Sequence, residues 1–219
     1  MLAVESPTIA LSGKYCTDVN GISRLLHIYD QAHQYENTDV TLDCQNLQHL
    51  DANLVSLLAA LDYRLVKEKN VQFKTDFSHL KRKFAFLFHN GFLKDADFNE
   101  TDPLQQPLQL TQIDVNDEIR FFEFLKGQLM CHKAIAPIDD NLKRQIQSEI
   151  IEVHTNIRTH SRSNSPFFAC GHHYPAAKIL KITLVDLGIG FLTPIRDYLH
   201  KIKDQRKIFR DGDAIQWAL

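Results

Sequence analysis

The first hundred residues alternate short strand-like runs with helix-like ones, and this restricts the fold more than any other feature of the sequence. "TIALSG" (8–13) reads as a strand ending at Gly13, and residues 18–33 as a helix with Ile22, Leu25, Leu26 and Tyr29 on one face. "DVTLDC" (39–44) alternates Val40, Leu42 and Cys44, the pattern of a strand with one buried face. Leu54, Leu57, Leu58, Leu61 and Leu65 then follow helical spacing, with Asp51 placed as the N-cap. "VQFKT" (71–75) is a third strand, and residues 79–91 form a closing helix with Gly91 as terminator. A βαβαβα order predicts a small α/β layer domain over residues 1–95, because parallel strands need crossovers that cover their sheet.

Residues 95–109, "DADFNETDPLQQPLQ", combine two prolines with acidic and amide side chains and show little apolar periodicity. A linker is therefore expected over 96–114 and a second domain over 115–219. That half opens with a helix near 115–131 and breaks at Pro137, whose ring disfavours a continuous helix. A helix then runs from Asp139 or Asp140 to His160. Two strands with a turn-rich joint at 171–175 follow; Leu180, Ile182 and Leu184 share one face of the second strand, and Asp186 ends it. The expected class is mixed α/β (α+β).

Bulk properties exclude several functions. A formal net charge of −2 gives no general attraction to nucleic acid or to an acidic membrane surface. The four cysteines are widely spaced, and Cys44 and Cys170 read as buried free thiols. No apolar run approaches the roughly 18–20 residues that span a bilayer, and the N-terminal stretch lacks the signal-peptide pattern. A cytoplasmic protein without membrane or nucleic-acid partners is expected.

The stretch "EIIEVHTNIRTHS" (149–161) carries the first chemical signal. On a helical wheel Ile146, Ile150, Val153 and Ile157 fall within a sector about 60° wide, and Glu152, Asn156 and His160 in an adjoining one about 80° wide. The three polar residues then border the expected core, either as its wet edge or as the floor of a pocket. About thirty residues on, "LVDLGIG" ends a strand on Asp186 and places Gly188 and Gly190 at alternate positions, where a loop can turn tightly and a ligand can approach the backbone.

ExxxNxxxH on a helix, then two strands ending in DxGxG, resembles the GHKL ATPase superfamily of gyrases, histidine kinases, heat-shock chaperones and mismatch-repair ATPases. The resemblance covers roughly residues 115–219 and implies an ATP-binding α/β sandwich. It implies that Asn156 is the Mg²⁺ ligand, that Glu152 orients an attacking water as the catalytic residue, that Asp186, Gly188 and Gly190 form the adenine pocket, and that His160 is a further cofactor-binding residue or simply closes the helix. Hard oxygen donors suit Mg²⁺ bridging phosphates, and a carboxylate can orient a nucleophile for phosphoryl transfer. After Gly190 the pattern departs: no second glycine-rich phosphate loop follows, and Gly212 stands alone. A fragment, a naturally shortened pseudo-ATPase and completion by a partner chain all fit, the first best, since Trp217 and Leu219 read as core residues. ATP binding is then expected to be weak or absent, without turnover.

Residues 1–95 resemble the STAS domain of anti-sigma-factor antagonists through "VTLDCQNLQHLDANLVSLLAAL", a strand, a loop and a helix opening on an acid. Where many such domains carry a phosphorylated Ser or Thr, this chain reads Asp51-Ala52-Asn53, with Ser56 the nearest hydroxyl. "CGHHYP" (170–175) is too compact along an extended segment to converge on one metal ion. The basic run Lys201, Lys203, Arg206, Lys207 and Arg210 is offset by Asp204, Asp211 and Asp213, as expected of a solvated loop. The combined expectation is a bacterial regulatory protein that couples a STAS-like interaction unit, with a protein partner, to an ATP- and Mg²⁺-dependent unit, and in which a homodimer is possible. The alternative is a catalytically inert interaction module.

Overall fold

The computed structural model describes residues 6–102, 107–190, 192–204, 206–211 and 213–214; Gly212, Trp217 and Leu219 lie outside them. The chain runs β1 (Thr8–Ala10), β2 (Gly13–Tyr15), α1 (Val19–Ala32), β3 (Thr38–Asp43), β4 (Leu47–Leu50), and a 3-10 turn (Ala52–Leu54) leading into α2 (Val55–Lys69). β5 (Val71–Thr75), α3 (Phe77–Lys83) and α4 (Phe86–His89) complete the first half. The second comprises β6 (Pro107–Ile113), α5 (Glu118–Phe122), a π-helix (Glu123–Met130), α6 (Asp140–His160), β7 (Phe167–Tyr174), β8 (Ile179–Val185) and α7 (Leu192–Lys201).

The alternation in the first half produces a parallel sheet of order β1-β3-β5, beside a short parallel pair β2-β4. The second half builds an antiparallel sheet of order β6-β7-β8, so the molecule is mixed α/β as expected. The Asp18 side chain accepts the Gly21 N–H and caps α1. Leu25, Ile28 and Ala32 face inward from that helix, whereas Ile22 and Leu26 are 37% and 42% exposed. β2 and α2 pack on the side of α1 centred on Leu25 and Ile28, which turns the other two outward. Leu54 of the 3-10 turn and Leu58, Leu61 and Leu65 of α2 are buried as their spacing predicts, while Leu57 is half-buried.

Three sequence-based boundaries move. The helix expected at 79–91 is two helices, because Phe84 turns out of helical geometry (φ −130°, ψ 42°) to bury its ring in the first core. The helix expected at 115–131 begins only at the Asp117 cap, and from Glu123 it widens into a π-helix. The stretch expected as a linker contains β6, paired antiparallel with β7 from Pro107↔His172 to Ile113↔Phe167.

β7 is the element around which the halves meet. Its residues Phe167–His172 are all buried, and its two faces serve different cores. Phe167 and Ala169 join the apolar cluster of the second half, with Phe121, Phe124 and Leu125. Phe168 packs with Ala59 and Ala60 of α2, and Cys170 belongs to the cluster of the first half. Burying an aromatic ring such as Phe168 contributes roughly 2–3 kcal/mol, so this contact is a substantial part of the fold.

Candidate functional site

Asp139 accepts the N–H groups of Asn141 and Leu142 and starts α6 where the sequence places it. Its buried face, however, differs from expectation. Val153 is 42% exposed, while His154 and Ile157 are buried. The His154 ring stacks on Phe121 with centroids 3.8 Å apart and planes 8° from parallel. Burial lowers the His154 pKa, so the imidazole is neutral and packs as an aromatic surface. The core sector is thereby rotated by roughly 50°. Glu152, Asn156 and His160 consequently lie on the exposed face of α6, not at the border of its apolar stripe.

β8 ends at Val185, and the loop after it closes on itself and on α6. Asp186 is exposed; its Oδ1 accepts the Gly188 N–H at 2.8 Å. The Ile189 N–H donates to the Ser161 carbonyl at 3.0 Å, which pins the loop to the C-terminal end of α6. A Cβ at Gly188 would stand 2.6 Å from the Ser161 Cβ and 2.6 Å from its carbonyl oxygen. Only glycine fits, and the cause is close approach of loop to helix. Gly190 has φ +71°, and the Leu192 N–H beyond it donates to Asp211 Oδ1 at 2.8 Å. Arg162 adds a 2.7 Å ion pair to Asp197 of α7.

The structure thus brings the DxGxG loop onto the helix that carries Glu152, Asn156 and His160. His160 adjoins the contact; Asn156 lies about 7 Å back along the axis from Ser161, and Glu152 about 13 Å. Among the described residues no group of three or more metal-ligating side chains occurs. The exposed amide of Asn156 and carboxylate of Glu152 suit a Mg²⁺ ion that arrives on nucleotide phosphates and keeps most of its remaining ligands as phosphate or water. Asp186 retains Oδ2 as an acceptor for an amino group. Away from this loop, among the described residues, one cleft of about 400 Å³ lies beside Phe88, Lys94 and Phe98, and another of about 230 Å³ between Leu108, Gln128 and His132.

Sequence reading missed a second polar centre. Asp51 was expected to cap α2, yet its side chain makes no capping bond. Its Oδ2 accepts Thr17 N–H at 2.8 Å, Thr17 Oγ1 at 2.7 Å and Lys181 Nζ at 2.7 Å, and its Oδ1 lies 3.0 Å from His49 Nε2. The Tyr174 hydroxyl receives the Ala52 N–H at 3.2 Å, and Asn53 Nδ2 donates to Thr183 Oγ1 at 2.7 Å. Burial alone would raise the Asp51 carboxyl; hydrogen bonds from Lys181, Thr17 and His49 outweigh it and hold it well below the usual carboxylate range. Ser56, the nearest hydroxyl on the helix, is fully buried and donates to the Asn53 carbonyl. Beside this centre His172 packs between Phe86 and Tyr174, and burial drives its pKa down to about 4. The local trace of this network is an acid at a strand–helix junction with His49 two residues before it; its other partners, Thr17 and Lys181, lie 34 and 130 residues away.

Cys44 and Cys170 are buried free thiols as expected, with Cys170 raised to about 12 by burial. "GHHY" lies in β7, so His172 and His173 fall on opposite faces of the strand. In the basic run, Arg206 pairs with Asp204 and Arg210 with Asp213. No helix among the described residues is long and apolar enough to cross a membrane. Comparison of the chain with protein-family profiles, curated proteins and solved structures returned no match.

Proposed function

We propose that this chain is a cytoplasmic regulatory protein in which a STAS-like unit engages a protein partner and a GHKL-type unit takes ATP with Mg²⁺, weakly and without turnover. The observation that supports this reading is the seating of the Asp186–Gly190 loop on the end of α6 through Ile189 and Ser161. It joins the sequence signal for adenine recognition to the helix bearing Glu152, Asn156 and His160. On this reading Asp186 accepts from the adenine amino group, Asn156 offers its amide oxygen to Mg²⁺, and Glu152 faces the phosphate side. A contact so open to water supplies little of the desolvation that strengthens a phosphate grip, which is why weak affinity is expected.

The second reading, an inert interaction module, is favoured by the placement of Glu152 almost opposite the buried face of α6. Calorimetric titration with ATP and Mg²⁺ separates the two. The nucleotide reading expects a Kd of roughly 1 mM, weakened at least about tenfold in Asp186→Asn and in Asn156→Ala. Absence of any binding heat, or heat unchanged by both substitutions, supports the inert module.

A further inference from the structure

The sheet β6-β7-β8 has two outer edges, and the fold treats them differently. At the β6 edge Pro107 removes a donor, the register is irregular between Leu108 and Thr111, and the backbone N–H groups are taken up. Gln109 N–H donates to Gln128 Oε1 at 3.0 Å, and Leu110 N–H donates to the Asn90 carbonyl at 2.8 Å. β8 has none of these protections. Its seven residues, ILKITLV, pair with β7 in unbroken register from Ile179↔Tyr174 to Val185↔Phe168. Among the described residues no strand lies on its other side.

The orientation of the β8 backbone follows from one contact. The Lys181 carbonyl oxygen lies 2.9 Å from where a Cβ on Gly171 would sit, so Lys181 turns its backbone groups toward β7. By alternation, Leu180, Ile182 and Leu184 turn their N–H and C=O groups to the open edge. Among the described residues nothing outside β7 hydrogen-bonds to them. An extended, apolar edge of this kind is a template for another strand.

We infer that β8 is a homodimer interface, pairing antiparallel with β8 of a second copy about an axis through Ile182. The choice of a second copy rests on self-complementarity. Centring on Ile182 places Leu180 opposite Leu184 of the other copy, and Ile182 opposite its own equivalent, all on the face packed against the second-half core. On the other face Lys181 stands opposite Thr183, and the Lys181 charge is already neutralised by Asp51. No like charges meet. The three outward-facing residues of each copy supply about six interstrand hydrogen bonds, and the two sheets become one.

The test uses the full chain and no nucleotide, so its outcome is independent of the ATP reading. Sedimentation velocity from low micromolar to roughly 100 µM is expected to show a monomer–dimer equilibrium. Hydrogen exchange at the Leu180, Ile182 and Leu184 amides is expected to slow at least about tenfold at the upper concentration. Ile182→Lys and Ile182→Glu should each be monomeric alone, since like charges meet at the axis, and should form a one-to-one heterodimer when mixed. Should either variant fail to fold, the exchange of the unmodified chain decides. A monomer throughout the range overturns the inference, as does a dimer in which those three amides exchange at the monomer rate.

Discussion

Lys181 Nζ lies 2.7 Å from Asp51 Oδ2, joining β8 to the strand–helix junction of the first half across 130 residues of sequence. The same carboxylate holds Thr17 and His49, so one side chain ties three segments together. Asp51→Ala is therefore expected to cost about 2–3 kcal/mol. That is at or below the low end of the roughly 3–5 kcal/mol for breaking a buried pair, because the Lys181 side chain is 34% exposed and partly rehydrates. Urea unfolding followed by circular dichroism and by exchange of β7 amides measures it. One shared transition, shifted to lower urea, is expected; a change confined to residues 1–95 would mean that the contact does not bind the halves.

Stability should also fall on mild acidification, and His172 sets the window. Burial depresses its folded pKa to about 4 from the ordinary histidine value of 6.5, so the unfolded chain binds the proton more readily. The stabilisation is complete above about pH 6.5 and is lost progressively as pH falls toward 4, amounting to roughly 3 kcal/mol. Asp51 has a lowered pKa, so its contribution is present at higher pH and begins to be lost only below about pH 4. Thermal unfolding between pH 7 and 4.5 checks this. His172→Phe is expected to flatten the curve over that interval.

Much of the architecture was legible from residue pattern alone. Asp139 and the apolar spacing after it locate α6 to within a residue, and Leu54 through Leu65 locate α2. β6 was not legible because Pro107, Gln109 and Gln112 obscure its alternation; it exists because β7 offers it a partner. The face of α6 differs from the expected one because His154, which belongs to neither the apolar nor the polar sector of the wheel, packs on Phe121 and joins the core. The Asp51 network was invisible for a different reason: apart from the neighbouring His49, its partners come from two distant segments, Thr17 and the β7–β8 hairpin, and no local pattern encodes such convergence.

Among the described residues the buried His154 finds no hydrogen-bond partner for Nε2, at a cost of about 1 kcal/mol or more. His154→Leu removes that unmet donor or acceptor while keeping an apolar contact with Phe121. It is expected to leave stability unchanged or raise it by up to about 1 kcal/mol at pH 7, by more at pH 5.5, and to leave nucleotide affinity as it was. A loss of more than about 2 kcal/mol in chemical denaturation would show that the ring stack outweighs the missing hydrogen bond.

Gly188→Ala should detach the loop from the helix without unfolding the protein. Its Cβ would meet Ser161 at 2.6 Å, a contact that only displacement of the loop relieves. The Ile189 amide, protected by its bond to the Ser161 carbonyl, is expected to exchange at least about tenfold faster, while amides in β7 keep their protection.

The central claim, that α6 and the 186–190 loop form one nucleotide site, is tested most directly by mapping amide chemical shifts in a titration of the full chain with ATP and Mg²⁺. The expected result is saturable shifts near roughly 1 mM at Asp186, Gly188, Ile189 and Gly190 together with Asn156 and His160, abolished in Asp186→Asn. Shifts centred on the basic residues 201–210, or none in either the loop or α6, would contradict it.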